Sequence, residues 1–217
     1  ASLGREVIPI AETDAAALAQ LGIMRGTDLG MELERVVSRA EAVVLLNRLI
    51  PAGADKGEEG TLPFADMRGR LDWAQGAVLR FCRNGWINGV SATEFAPERT
   101  VTGAEFTKML LSALGYSGVT LENAYDIAAA ADLLSDNFTK SAVHENLPLL
   151  RSDCARLCYS ALTAKTADGE QLYKTLIASG AFDTAAITRI IGGSVCPMLT
   201  EDSFADMLSA AMPQTDN

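Results

Sequence analysis

The sequence predicts an all-α fold, built as three helix-loop-helix units in a pseudo-threefold bundle and followed by a C-terminal helical extension. Three observations carry that prediction. A helix-opening device recurs: Val37-Ser38-Arg39-Ala40-Glu41 is matched by Val101-Thr102-Gly103-Ala104-Glu105 and, more loosely, by Leu150-Arg151-Ser152-Asp153. A turn recurs upstream of each, as Leu21-Gly22-Ile23-Met24-Arg25-Gly26, Asn84-Gly85-Trp86-Ile87-Asn88-Gly89 and the eroded Ala131-Asp132-Leu133-Leu134-Ser135. Between these marks, apolar residues repeat at helical spacing. An internal repeat of this kind fixes architecture before function.

Helical patterns cover 14–21, 39–50, 69–83, 104–115, 122–133, 151–164, 170–179, 183–191 and 203–211, separated by Gly, Pro and polar breaks. Ser38 and Thr102, each followed three residues later by Glu, read as capping boxes: the hydroxyl accepts from the N3 amide and the Glu reaches back to the cap amide. In the third unit Leu150 stands where the cap belongs and Asp153 replaces Glu. Trp73, Ala74, Ala77, Val78 and Phe81 make one apolar stripe, and Phe106, Met109, Leu110, Ala113 and Leu114 another. Neither helix of a unit can bury its stripe alone, so three pairs are expected to pack about a common axis. The marks are spaced 64 and then 48 residues apart, the longer interval holding the charged, glycine-rich segment 53–60. The resulting division is 1–52, 61–118 and 119–165 for the units and 166–217 for the extension. Stripes at Leu172, Leu176, Ile177 and at Ile187, Ile190, Ile191 need a surface, so the extension is expected to dock on the bundle.

At 217 residues and 48% apolar, the chain can bury a substantial core. A net charge of −10 and a pI near 4.6 argue against nucleic acid as a partner. No apolar run is long enough to span a membrane, and no charged-then-apolar leader opens the sequence, so an exported form requires a leader that has been removed or that lies outside this sequence. Cys154 and Cys158 lie four apart on one helix face, a geometry poorly suited to bridging, while Cys82 and Cys196 have no partner by spacing; free buried thiols are expected. There is no Cys-x-x-Cys pair and His144 stands alone, so neither a metal site nor a Cys-His pair is supported. No cofactor and no catalytic constellation are expected, and the chain reads as a non-enzyme.

The ordered set Phe64-Ala65-Asp66, Trp73-Ala74, Gly85-Trp86-Ile87-Asn88-Gly89, Phe95-Ala96-Pro97 and Val101-Thr102-Gly103-Ala104-Glu105-Phe106 resembles an S-layer homology (SLH) motif. Three such units, the first shortened and the third eroded, resemble an SLH domain over about three quarters of the chain. The resemblance implies a non-catalytic module on a bacterial cell surface or cell wall that holds non-covalently to an anionic secondary cell-wall polymer. It also implies ligand grooves between adjacent units. The alternative is a degenerate SLH fold serving as a protein-protein interaction or assembly module, with other surface proteins as partners.

Candidate ligand-binding residues are Arg39, Arg151, Gly26, Gly89, Asp66 and Trp73. Arg39 and Arg151 occupy the first helical position, where a cation meets the positive end of the helix dipole at a cost of a few tenths of a kcal/mol. Free amides together with a guanidinium make a receptor for carboxylate or phosphate. The other reading pairs these arginines with Glu34, Glu41 or Asp153. The resemblance implies the first, since its motif arginine contacts the acidic sugar. Gly26 and Gly89 serve backbone geometry or line a groove, and Trp73 belongs to the core or offers a sugar-stacking face. Asp66 caps the helix beginning near Arg68 or shares in the motif. Further arginines cluster at Arg25, Arg35 and Arg48 and at Arg68, Arg70, Arg80 and Arg83. Gly103 breaks the pattern, and Gly103→Arg is expected to restore a lost cation and raise affinity.

Overall fold

A computed structural model describes residues 10–51, 60–69, 71–134 and 137–192. Among them are nine α-helices: α1 (Ile10–Gln20), α2 (Arg39–Leu49), α3 (Asp72–Arg83), α4 (Gly103–Ala113), α5 (Ala124–Ala130), α6 (Asn137–His144), α7 (Arg151–Thr163), α8 (Leu172–Ala178) and α9 (Thr184–Ile191). The fold is all-α, as the periodicity predicts. The pattern anticipates every one of these except α6, a short helix whose Ala142 and Val143 are buried by packing on α4. The helix expected over 203–211 and Cys196 lie outside the described residues, as does Arg70.

The recurring turn is a helix C-cap. Gly22 (φ 69°), Gly85 (φ 73°) and Asp132 (φ 61°) take the left-handed conformation just beyond α1, α3 and α5. The next amide reaches back into the helix each time: Ile23 to Leu18, Trp86 to Phe81 and Leu133 to Ala128, all at 2.9 Å. Aspartate tolerates this conformation better than most side chains, which is why the third unit keeps the turn after losing the glycine.

A closed ring of backbone hydrogen bonds and a second set of three that runs cyclically from unit to unit tie the units together. Val37 donates to Leu149 (3.0 Å), Leu149 to Val101 (3.0 Å) and Val101 to Val37 (2.9 Å), and all three side chains are buried. Two residues on, at the first helical position, Arg39 N donates to Arg99 O, Gly103 N to Leu147 O and Arg151 N to Arg35 O at 2.8–2.9 Å. The residue two positions before each of α2, α4 and α7 therefore bonds to its counterparts, giving the pseudo-threefold axis. Helix packing follows the same cycle: α2 lies on α3, α4 on α5 and α6, and α7 returns to α1. The large helix contacts thus cross from one unit to the next.

The extension docks on α7. Leu172, Leu176, Ile187 and Ile190 are buried, Leu172 N donates to Ala164 O (3.2 Å), and Tyr159 Oη donates to Ile190 O (3.3 Å). Cys154 and Cys158 are buried free thiols and Cys82 a half-buried one. Burial pushes the Cys82 thiol up to about 11 and raises the Cys154 and Cys158 thiols well above the ordinary range. Among the described residues, no helix is long and apolar enough to cross a membrane.

Candidate functional site: a cationic groove between adjoining units

These inter-unit bonds have a consequence for the helix starts. The amides expected to be free there are occupied by carbonyls of the neighbouring unit: Arg39 N and Ala40 N by Arg99 O and Pro97 O, and Arg151 N and Ser152 N by Arg35 O and Leu33 O. Recognition of an anion must therefore rest on side chains.

Between the first and third units lies a cavity of about 180 Å³ lined by Met24, Arg25, Gly26, Val37, Glu41, Val44, Leu45, Arg48, Trp73, Arg151 and Cys154. Glu41, Val44, Leu45 and Arg48 share one face of α2 through i, i+3, i+4 and i+7 spacing. Arg151 and Cys154 come from the first turn of α7. The Gly22 cap swings Arg25 and Gly26 across the top, and Trp73 of α3, 54% exposed, forms the rim. A Cβ on Gly26 would meet Gly30 O at 3.2 Å, so its glycine permits a tight turn.

Three guanidinium groups meet in this groove. Arg151 is oriented by Nε donating to Met31 O (2.8 Å) and Nη2 to Arg25 O (2.9 Å), two of the five N–H groups a guanidinium offers. Arg48 is half-buried and makes no hydrogen bond or ion pair among the described residues. Burial first, then the repulsion of Arg25 and Arg151, lowers its pKa. The carboxylate lining the groove, Glu41, is already engaged: Arg35 grips it through Nη2 (2.6 Å) and Nη1 (3.1 Å), and Ser38 N donates to it at 2.9 Å. Burial would raise the Glu41 carboxyl, but the Arg35 and Ser38 bonds outweigh it and hold the carboxyl below its ordinary range.

The corresponding junction between the first and second units is filled from within. Arg39 is 6% exposed; its Nε donates to Phe95 O (3.2 Å), Nη2 to Asn88 O (3.1 Å), and Nη1 lies 3.5 Å from Glu105, with the guanidinium stacked 4.8 Å from the Phe95 ring centroid. Gly89 is a packing glycine, since a Cβ would fall 2.5 Å from the Phe64 ring and from Ser91 O. Asp66 does not cap α3; its carboxylate accepts from Phe95 N (3.0 Å) and Ala96 N (2.8 Å), pinning the loop whose Phe95 carbonyl receives Arg39. Arg80, buried at 3%, donates to Asn47 Oδ1, Ile50 O and Pro51 O and is likewise structural.

At the third junction α6 stands where a cation was expected. A Cβ on Gly103 would lie 2.2 Å from Ala142 O and 2.9 Å from Val143 Cα, so Gly103 is the residue that lets α6 approach. The expected benefit of Gly103→Arg is withdrawn on this ground. The surface depression there, about 500 Å³, is lined by Glu122, Tyr125, Asp126, His144 and Asn146 and carries acids in place of arginines.

Of the six residues proposed from sequence, Arg151, Gly26 and Trp73 are brought together in the cationic groove, whereas Arg39, Gly89 and Asp66 gather around the filled second junction. Arg25 and Arg48 join the groove, and their signal in sequence was the clustering of arginines in the first unit. Residues 63–107 match the S-layer homology domain family. The SLH match covers the second unit, from the segment before Asp66 through the first half of α4. Over 103 residues, 47% of this chain, the sequence is 32% identical to the "Surface-layer 125 kDa protein" of Lysinibacillus sphaericus, of which this covers 8%. Over 78 residues, 36% of the chain, it is 31% identical to "Cell surface glycoprotein 1" of Acetivibrio thermocellus, of which this covers 3%. The aligned segments thus span a small part of these much longer relatives. Of the groove-lining residues, Trp73 alone falls within the SLH-matched segment.

Proposed function

We propose that the chain is a non-catalytic anchoring module of a bacterial cell surface, holding non-covalently to an anionic secondary cell-wall polymer through the groove between α2 and α7. The observation that carries the reading is the convergence of Arg25, Arg48 and Arg151 on one cavity whose carboxylate, Glu41, is already paired with Arg35. Charge-assisted hydrogen bonds to carboxylate or phosphate are the ordinary use of such a site. The SLH match and the surface-protein relatives support the cell-surface setting. An overall charge of −10 disfavours long-range attraction to a polyanion, so capture depends on this local patch. Trp73 at the rim offers a ring face to a sugar.

Sedimentation with purified cell-wall sacculi, before and after chemical removal of the secondary polymer, tests the proposal. Binding is expected to require the polymer and to fall roughly 10- to 100-fold in Arg151→Ala, the range for loss of one charge-assisted contact. A second reading, an assembly module that has lost glycan binding, draws support from the filled second junction and the α6-blocked third. Equal sacculus binding by wild type and Arg151→Ala, or none by either, favours it.

A further inference from the structure

We infer that the groove selects a doubly charged anionic group, a sugar phosphate monoester or a sugar dicarboxylate, over a single carboxylate, with Arg48 as the residue that sets this preference; the inference rests on the anchoring reading above. A single carboxylate is satisfied by the oriented Arg151 alone and leaves the charges of Arg25 and Arg48 without a counter-ion in the groove. Arg48 differs from the other two: it is half-buried on the α2 face with neither a hydrogen bond nor an ion pair among the described residues, whereas Arg151 is held by two carbonyls and Arg25 is exposed to solvent.

Glu41, the one carboxylate in the lining, is paired with Arg35 and accepts from Ser38 N, and Glu32 lies 3.6 Å from the same Arg35. Asp153 and Asp72 accept from neutral donors, Leu150 N (2.8 Å) and Gln75 Nε2 (2.6 Å), and do not line the cavity. The remaining charges facing the cavity are therefore the three arginines. Two negative charges on one ligand group neutralise most of that excess where a monoanion does not. The cavity, about 180 Å³, admits one sugar-sized moiety and not a folded partner.

Calorimetric titration of the full chain with glucose 6-phosphate, glucarate and glucuronate at about pH 5 and about pH 7.5 tests the inference, because a phosphate monoester passes from monoanion to dianion near pH 6 while the other two keep their charge. Glucose 6-phosphate is expected to bind roughly tenfold more tightly at the higher pH, and glucuronate more weakly than either dianion. Glu41 stays ionised over this range, so the change belongs to the ligand. In Arg48→Gln the ratio between the two pH values falls towards one, and Arg48→Lys restores part of it, with far-UV circular dichroism checking the fold of each variant. Tighter binding of glucarate than of glucose 6-phosphate at the higher pH assigns the group to dicarboxylates, and the reverse to phosphates.

Glucuronate binding as tightly as the dianions, or no binding of any probe at about 10 mM, overturns the inference. Sacculus binding measured in parallel separates the two readings. If it is retained and depends on Arg151 while dianion preference is absent, the inference falls and anchoring stands. If dianions bind but sacculi do not, anchoring falls.

Discussion

Arg39 and Arg151 occupy equivalent positions in their units and do different things, and the difference lies in what each meets. Arg39 meets two loop carbonyls, a carboxylate and a phenyl ring in a nearly closed space; Arg151 meets two carbonyls at the edge of an open groove. Arg39→Ala is therefore expected to cost about 3 kcal/mol, the range for removing one partner of a buried charged network. Denaturant melts check this, and sacculus binding measured well below the transition should change little. Gly103→Ala belongs to the same scale. Its methyl would have to displace the α6 backbone, so a loss of about 1–3 kcal/mol is expected.

At the scale of elements, the two capping boxes divide. At α2 both arms form, with Glu41 N donating to Ser38 Oγ (3.3 Å) and Ser38 N donating to Glu41 (2.9 Å). At α4 only the carboxylate arm is made: Thr102 N donates to Glu105 (3.2 Å), while the Thr102 hydroxyl is buried without a cap hydrogen bond. Ser38→Ala should cost about 1 kcal/mol, whereas Thr102→Val should be neutral or stabilising, because it removes an unpaired hydroxyl and keeps the shape. Urea midpoints of the two variants decide it.

The carboxylates of these caps also set an acid limit. Glu41 and Glu105 are both held below their ordinary pKa: burial opposes this, but the bonds from Arg35 and Arg99 and from the cap amides prevail. The folded state thus binds fewer protons than the unfolded chain near its carboxylate pKa of about 4.3, so stability is complete above that pH and declines as pH falls through the lower folded values. Thermal melts from about pH 6 to pH 3 should show it, with a smaller decline in Glu41→Gln than in wild type.

For the whole molecule, the ring of helix contacts means that the larger helix interfaces lie between units and not within them. α3 leans on α2 of the unit before it, α4 on α5 and α6 of the unit after it, and α1 closes on α7. Residues 61–118 expressed alone are expected to lack a cooperative melt although they hold the SLH-matched segment 63–107. The full chain should unfold with coincident transitions by Trp fluorescence and by far-UV circular dichroism.

Periodicity, the cap residues and the repeated turn were sufficient for the all-α class, for eight of the nine helices described and for the docking of the extension, because each is a local preference or an apolar stripe that must be covered. Only the tertiary structure decided which arginines are spent inside. The position of Arg39 or Arg151 in its own helix carries no record of the acceptors brought up by the neighbouring unit. Likewise α6 was missed and Gly103 misread for one reason: a short helix with two buried apolar residues has little periodicity of its own, and the glycine's purpose is a contact made 39 residues away in sequence. Local chemistry determines where helices begin and end; burial and close approach across the threefold axis determine which charges remain at the surface to meet a ligand.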